Sequence, residues 1–191
     1  MTPSHTALIA IVDDDDAVRD SLALLLRLHG FATREFASGE AFLKWAGTEP
    51  ADCVLLDLRM AGLSGIDVQG ELARRRLGWP IVMLTAHGDV ATTRAALKGG
   101  AFDFIEKPFD DELLVQTIRA ATERSAERRT QFEREVLGHV LAGRHNREIA
   151  VLLDISPRTI EVYKARIMDK LNVDRLPDLV RLALEMGLGR E

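Results

Sequence analysis

The sequence predicts an α/β fold in which helices cover a parallel five-stranded sheet, followed by a small all-α domain. Two observations indicate the first part: five short strand-like segments alternate with segments of helical periodicity over residues 7–120, and the two central ones are continuously apolar at 53–56 and 81–84. Such runs are typical of parallel strands buried on both faces. One observation indicates the second part: beyond residue 132 only helical periodicity remains. Alternating strands and helices form a doubly wound sheet with right-handed crossovers.

The strands and helices of the first half are bounded by recognisable start and stop signals. Strands are expected at 7–12, 31–36, 52–57, 80–85 and 102–106, and helices at 18–28, 38–45, 66–76, 90–98 and from 110 onward. Gly30 ends the first helix, and Ser38 is placed to cap the second. The pair Gly99-Gly100 stops the fourth helix, and Pro108 breaks the chain after the fifth strand.

The second half contains four helical segments, expected at 133–141, 147–153, 157–171 and 177–186. Ser156 followed by Pro157 is a strong start signal, because serine caps a helix and proline fits its first turn. A short helix, a tight turn and a second, basic helix form the pattern of a helix-turn-helix. No proline interrupts residues 110–142. One long helix and two helices joined by a kink near Thr130 therefore both fit the sequence.

The composition indicates a cytoplasmic protein with two differently charged halves. Residues 1–123 carry 12 basic and 19 acidic side chains, a net charge of −7, whereas residues 124–191 carry 13 and 11, a net charge of +2. The basic half favours a nucleic-acid partner. No apolar run approaches the roughly 20 residues of a membrane span, and the N-terminus lacks a signal-peptide pattern. The one cysteine, Cys53, lies in an apolar strand and indicates a reducing compartment.

Asp57 is the residue around which the first domain is organised. It ends the third apolar run, at the position where ligands bind in an open α/β sheet, outside the carboxyl ends of the strands. Asp13 and Asp14 end the first strand and would lie beside Asp57 if strands one and three are neighbours. Crowded carboxylates repel one another, and a hard divalent cation relieves that repulsion. The pattern therefore predicts a site for Mg²⁺.

Simpler interpretations of these acidic residues remain open at this point. Asp57 is also compatible with a strand-ending residue that caps the next loop, and Asp13–Asp16 with a solvated run that favours the N-terminus of the following helix. Two further strand ends favour a site, because Thr85 ends the fourth strand and Lys107 the fifth. A hydroxyl and an ammonium placed there would bind phosphoryl oxygens. The four strand ends together are more specific than any one residue.

Residues 7–120 resemble the receiver domain of two-component response regulators. The resemblance is carried by Asp13-Asp14, by Asp57 in LLDLRM, by Thr85 in LTAHGD and by Lys107-Pro108 in DFIEKPF. It implies a flavodoxin-like (βα)5 fold with strand order 2-1-3-4-5. It also implies a partner sensor histidine kinase that phosphorylates Asp57. Such a protein accepts and slowly loses its own phosphoryl group and is not an enzyme with a separate substrate.

The resemblance also assigns roles to the residues around Asp57. The implied magnesium ligands, three carboxylates and one backbone carbonyl, are Asp13 (through water), Asp14, Asp57 and Arg59. Lys107 pairs with the phosphoryl group, and its bond to Pro108 is expected to be cis. Thr85 and Phe104 report phosphorylation and alter the face formed by the fourth helix, fifth strand and fifth helix, where a homodimer is expected. From the sequence alone, Phe104 is equally compatible with a core aromatic.

Residues 132–186 resemble the LuxR-type helix-turn-helix domain of the NarL/FixJ group, through EREVL, NREIA and ISPRTIEVYKARIMDKL. The implied partner is double-stranded DNA. The candidates for contact with DNA phosphates are Arg144, Arg147, Ser156, Arg158 and Lys164, and Lys170 on the basic helix is a further candidate for DNA binding. The candidates on the groove-facing side are Thr159, Glu161, Val162 and Ala165. Glu161 is also compatible with a surface ion pair to Arg158 or Lys164.

The sequence predicts three segments: a receiver domain at 1–123, a helical linker at 124–131 continuous with the last receiver helix, and a LuxR-type DNA-binding domain at 132–191. Two departures from the family pattern bear on this organisation. Ala61 stands where receivers commonly carry proline, which loosens the loop after Asp57 without removing a ligand. Arg129-Thr130-Gln131 stands where the family usually has Leu-Thr-Pro. The missing proline removes a helix start signal and favours a continuous helix.

The expected function is a phosphorylation-controlled transcriptional regulator that binds DNA as a dimer. The alternative is a receiver that acts through protein contacts alone, as a phosphate sink or as a module that binds another regulator, with a tail that does not bind DNA. The basic helix of the tail favours the first, because lysine and arginine neutralise DNA phosphates.

Overall fold

The computed structural model describes residues 6–86, 96 and 98–187, which divide into two compact units between Ala126 and Glu127. The strands are β1 Leu8–Val12, β2 Ala32–Phe36, β3 Cys53–Asp57, β4 Ile81–Ala86 and β5 Asp103–Lys107. The described helices are α1 Asp16–Leu28, α2 Gly39–Trp45, α3 Gly65–Arg74, α4 Asp111–Leu141, α5 Asn146–Leu153, α6 Pro157–Lys170 and α7 Leu176–Glu185. Most of the helix predicted at 90–98 lies outside the described residues.

The first unit is built on a parallel sheet in the order β2-β1-β3-β4-β5, which confirms the predicted topology. In its register, Val12 pairs with Leu56, Asp57 with Leu84, and Ala86 with Lys107. The carboxyl ends of β1, β3, β4 and β5 therefore share one edge of the sheet. That edge is where the predicted site residues were expected to meet.

The sheet has a hydrophobic core on each face because successive side chains of a strand point in opposite directions. Leu55 packs with residues of α1 and α4, among them Leu22 and Ile118. Its neighbour Leu56 packs on the other face with Phe42 of α2 and Val68 of α3. All six are at most 1% exposed, and burial of each contributes about 1.5–3 kcal/mol. The two cores fix β3, and with it the position of Asp57.

The predicted helix signals have the expected geometry. The hydroxyl of Ser38 accepts a hydrogen bond from the amide of Ala41 at the start of α2. Gly30 follows α1 with φ +85°, a conformation that glycine adopts without strain. The Lys107–Pro108 bond is cis, as the resemblance implies.

The second unit packs the C-terminal part of α4 with α5, α6 and α7 around its own core. Val136, Ile149, Ile160 and Leu179 lie at its centre and are fully buried. In α6 only Ile160 and Ile167 are buried, so most of that helix is accessible. The segment 111–141, for which one helix and two helices both fitted the sequence, is a single helix. Within the described ranges, none of the helices has the length and apolar character that a membrane span requires.

Candidate functional site

Lys107, the last residue of β5, joins two acidic side chains at the carboxyl edge of the sheet. Its Nζ donates to Oδ1 of Asp57 at 2.6 Å and to Oδ2 of Asp13 at 2.7 Å. These residues are 50 and 94 positions from Lys107 in the chain, and the neighbouring positions of β1, β3, β4 and β5 bring them together. The structure thus places three of the predicted site residues in direct contact.

Burial sets the charge balance of this cluster. Asp57 is 6% and Asp13 1% exposed. Burial raises the pKa of Asp57, and the charge of Asp13 adds to this, while hydrogen bonding and charge from Lys107 act in the opposite direction. Burial alone would lower the pKa of Lys107, but its bonds to the two carboxylates and their charges outweigh that effect and raise it. Asp57 is consequently a poorly hydrated and more basic carboxylate, which suits a nucleophile.

The four consecutive aspartates lie in different surroundings. Asp13 belongs to the buried cluster, whereas Asp14 is exposed. Asp15 caps α1 by accepting from the amides of Ala17 and Val18. Asp16 lies in the first turn of that helix, where an acidic side chain is favoured by the helix dipole.

The loop that follows Asp57 is held by three carboxylates. The amide of Arg59 donates to Oδ2 of Asp57, and that of Ala61 donates to Oδ2 of Asp14, both at 2.8 Å. The amide of Leu63 donates to Oε1 of Glu40 at 3.1 Å. Glu40 was not among the predicted site residues, because nothing in the pattern of α2 relates it to a loop 23 residues further along the chain.

Thr85 lies on β4, the neighbour of β3, and Phe104 lies on β5 at the edge of the sheet. Thr85 is 6% exposed, and its hydroxyl donates to the carbonyl of Ala86 at 3.0 Å. It stands opposite Glu106 in the register of β4 and β5. Phe104 is 39% exposed, so it is not a core aromatic. Its role as a reporter of phosphorylation stays a prediction.

The donor set fits a magnesium ion in chemistry but not in its present arrangement. One lysine between two buried carboxylates leaves a net negative charge, and all the predicted ligands offer oxygen, which Mg²⁺ prefers. Within the described parts of the chain, no three acidic, histidine or cysteine side chains converge on one point that would hold a metal. The three carboxylates are instead engaged in other hydrogen bonds: Lys107 bonds Asp13 and Asp57, and Asp14 bonds the amide of Ala61.

The predicted DNA-contacting residues lie around α5 and α6 of the second unit. Among them, Arg144, Arg147, Arg158, Glu161 and Ala165 are exposed, and Thr159, Val162 and Lys164 are half-buried. Ser156 caps α6 by accepting from the amide of Thr159 at 3.0 Å. Lys164 donates to Oδ1 of Asn146 at 2.9 Å, which ties α6 to the start of α5. The accessible side of α6 therefore combines exposed polar side chains, such as Arg158 and Glu161, with Lys164, which is hydrogen-bonded within the unit.

Lys170 differs from the other candidates because it pairs with a buried acid. Its Nζ lies 2.5 Å from Oε2 of Glu133, whose side chain is 7% exposed, whereas Lys170 itself is 56% exposed. Glu133 was not predicted as its partner, although the sequence carries a signal for its burial. Glu133 precedes Val136, Leu137 and Val140 at spacings of 3, 4 and 7, so it shares the core-facing stripe of α4.

Two family models match this chain, one on each of the two units of the structure. Residues 9–119 match the response regulator receiver domain, and residues 130–183 match the luxR family of bacterial regulatory proteins. The chain is 41% identical over 196 residues to the transcriptional regulatory protein FixJ of Azorhizobium caulinodans, covering 94% of this chain and 93% of the relative. It is 40% identical over 197 residues to FixJ of Rhizobium meliloti, covering 95% and 97%.

Solved structures give the same relationship. Full-length FixJ from B. japonicum is 39% identical, with a TM-score of 0.59, and the match covers 95% of this chain and 97% of that one. The response regulator StyR is 36% identical, with a TM-score of 0.62, and the match covers 94% and 99%. Both similarities extend over the receiver and the helical unit together.

Proposed function

The chain belongs to the response regulators of the NarL/FixJ group, a phosphorylation-dependent class of transcriptional regulator, and from this premise we propose that Asp57 is its phosphoacceptor. The contact that carries the proposal is the bond between Lys107 and Asp57 at 2.6 Å. It places a cation beside the carboxylate that would receive a phosphoryl group. Asp57 attacks phosphorus, the bond to the histidine of a partner sensor kinase breaks, and Lys107 pairs with the phosphoryl oxygens.

The second part of the proposal concerns magnesium. Asp14, Asp57, the backbone carbonyl of Arg59 and, through water, Asp13 would hold Mg²⁺, which neutralises charge on the transferred group. The buried position of Asp13 and Asp57 supports this assignment, because one lysine does not balance two carboxylates and the incoming phosphoryl group. Asp14 bonds the amide of Ala61 and would have to give up or share that bond to take part.

The output is sequence-specific DNA binding by a homodimer in the cytoplasm. Thr85 moves toward the phosphoryl group, and Phe104 fills the space behind it, which changes the β4–β5 side of the receiver and favours dimerisation. The accessible side of α6 enters the major groove, with Arg158 and Lys164 on phosphates and with Glu161 and Val162 on base edges. The two units would then correspond to the predicted segments 1–123 and 132–191, joined by 124–131.

The test is labelling by acetyl phosphate or by a sensor kinase. Asp57→Asn should abolish labelling, because an amide is not a nucleophile toward phosphorus, and phosphorylation should tighten DNA binding in a gel-shift assay. Asp15→Asn is the matched control, since asparagine caps a helix about as well as aspartate and labelling should persist. Labelling of the Asp57→Asn variant would overturn the assignment. A labelled protein without salt-sensitive DNA affinity would favour action through protein contacts alone.

A further inference from the structure

We infer that the backbone amide of Ala61 competes with Mg²⁺ for the carboxylate of Asp14 and thereby lowers the affinity of this regulator for the metal. The inference rests on the proposed function, because it takes Asp14 to be a magnesium ligand. It assigns a role to a position that contributes no side chain to the site. Its basis is one hydrogen bond and the place of that bond in the loop after Asp57.

The hydrogen bond runs from the amide of Ala61 to Oδ2 of Asp14 and measures 2.8 Å. It links residues 47 positions apart and has a charged acceptor, so it is stronger than a bond between neutral groups. Asp13 and Asp57 are committed to Lys107, whereas Asp14 is exposed and bonds the loop. Gathering the three acids around a cation therefore requires Asp14 to give up this bond or to share it.

The loop aims the amide of Ala61 because it is fixed on both sides. The amide of Arg59 bonds Asp57, and the amide of Leu63 bonds Glu40. Between them Gly62 has φ +81°, and a Cβ at that position would lie 2.6 Å from Oε1 of Glu40. The donor of Ala61 is thus held in place by its neighbours and does not depend on Asp14 for its position.

This competition depends on the residue type at position 61. Proline has no amide hydrogen and cannot make this bond to Asp14. Receivers commonly carry proline at this position, so the donor distinguishes this chain from the pattern it resembles. Gly62 has positive φ, and where the third residue of a turn has positive φ, proline is common at the second, which here is position 61. Ala61→Pro therefore removes the donor with little disturbance of the turn.

The experiment measures magnesium affinity in the full-length protein by following backbone amide NMR signals of Arg59 and Leu63 as Mg²⁺ is added. Ala61→Pro should bind Mg²⁺ about three- to tenfold more tightly, which is the range expected for loss of one partly exposed competing hydrogen bond. Ala61→Ser, which keeps the amide, is the matched control and should retain the original affinity. Thermal unfolding by circular dichroism establishes that both variants are folded.

A second readout separates loss of the donor from stiffening of the loop by proline. In the unsubstituted protein, saturation with Mg²⁺ should accelerate hydrogen exchange at the Ala61 amide, because Asp14 is withdrawn from it. Equal or weaker magnesium affinity in Ala61→Pro, or an Ala61 amide that stays protected at saturation, overturns the inference while leaving the magnesium site intact. Absence of saturable shifts in all three proteins overturns the proposed magnesium site itself.

Discussion

The charged residues of the two candidate sites, one in each unit, differ in their exposure to solvent. In the first, Lys107 is 22% exposed and bonds two carboxylates that are almost fully buried. In the second, Arg158 and Glu161 on α6 are exposed. Phosphoryl transfer needs charges that are desolvated and fixed before reaction, whereas reading DNA needs side chains that a groove can reach. Under the proposed function, one chain would meet both needs by placing charge at a sheet edge in one unit and on a helix surface in the other.

The pair Glu133–Lys170 is an exception in the second unit, and breaking it should have the largest effect. Lys170→Met should destabilise the protein by about 2 kcal/mol, because it leaves the buried carboxylate of Glu133 without its cation. The loss is moderate because Lys170 itself is more than half exposed. Glu133→Gln should cost about 1 kcal/mol, because the remaining lysine can be hydrated. Urea unfolding followed by far-ultraviolet circular dichroism measures both. Equal losses of unfolding free energy in the two variants would mean that Glu133 does not depend on Lys170, and that Lys170 is as weakly engaged as the exposed Arg158.

The loop of the first unit should be nearly as sensitive, at a position that carries no charge. Gly62→Ala should destabilise the protein by about 1–2 kcal/mol, because φ is +81° and the new Cβ would meet Glu40. Gly70→Ala in α3 is the control and should stabilise by about 1 kcal/mol, because no atom lies within 4 Å of its added Cβ. Fluorescence of Trp45 and Trp79 reports the unfolding of this unit. A neutral Gly62→Ala would show that the loop is not held tightly.

The sequence predicted the first unit more closely than the second, for a physical reason. Parallel strands end at a common edge, so a strand-ending residue such as Asp57 or Lys107 is placed as soon as the strand order is known. A helix surface has no such anchor, and basic spacing along α6 did not separate Lys170, which pairs with Glu133, from Arg158. Neither strand order nor helical spacing predicts the contacts made by loop amides. The bonds of Ala61 to Asp14 and of Leu63 to Glu40 depend on a turn geometry that no periodicity encodes.

Arg158 tests the accessible side of the comparison. Arg158→Ala should weaken DNA binding by about fivefold and reduce the salt dependence by about one phosphate contact. Its stability should be unchanged, since the side chain is exposed. Gel-shift titrations at several salt concentrations, alongside urea unfolding, measure the two properties. A variant that loses stability but keeps its salt slope would place Arg158 with Lys170 among the structural charges.

The smallest expected effect compares two serine caps, one in each unit. Ser64 caps α3 together with Asp67, and hydrogen bonds from the hydroxyl and amide of Ser64 hold the pKa of Asp67 below its ordinary value of 3.8. Ser156 caps α6, which has no acidic residue in its first turn. Asp67 therefore binds a proton less readily in the folded state than in the unfolded chain. The stabilisation that its ionised carboxylate gives to the cap is complete above the pKa of Asp67 in the unfolded chain, and it is lost as pH falls through the lower pKa of the folded state. The cost of Ser64→Ala, measured by urea unfolding, should therefore shrink in acid, while the cost of Ser156→Ala should not change; parallel behaviour of the two variants would mean that ionisation of Asp67 contributes nothing to its cap.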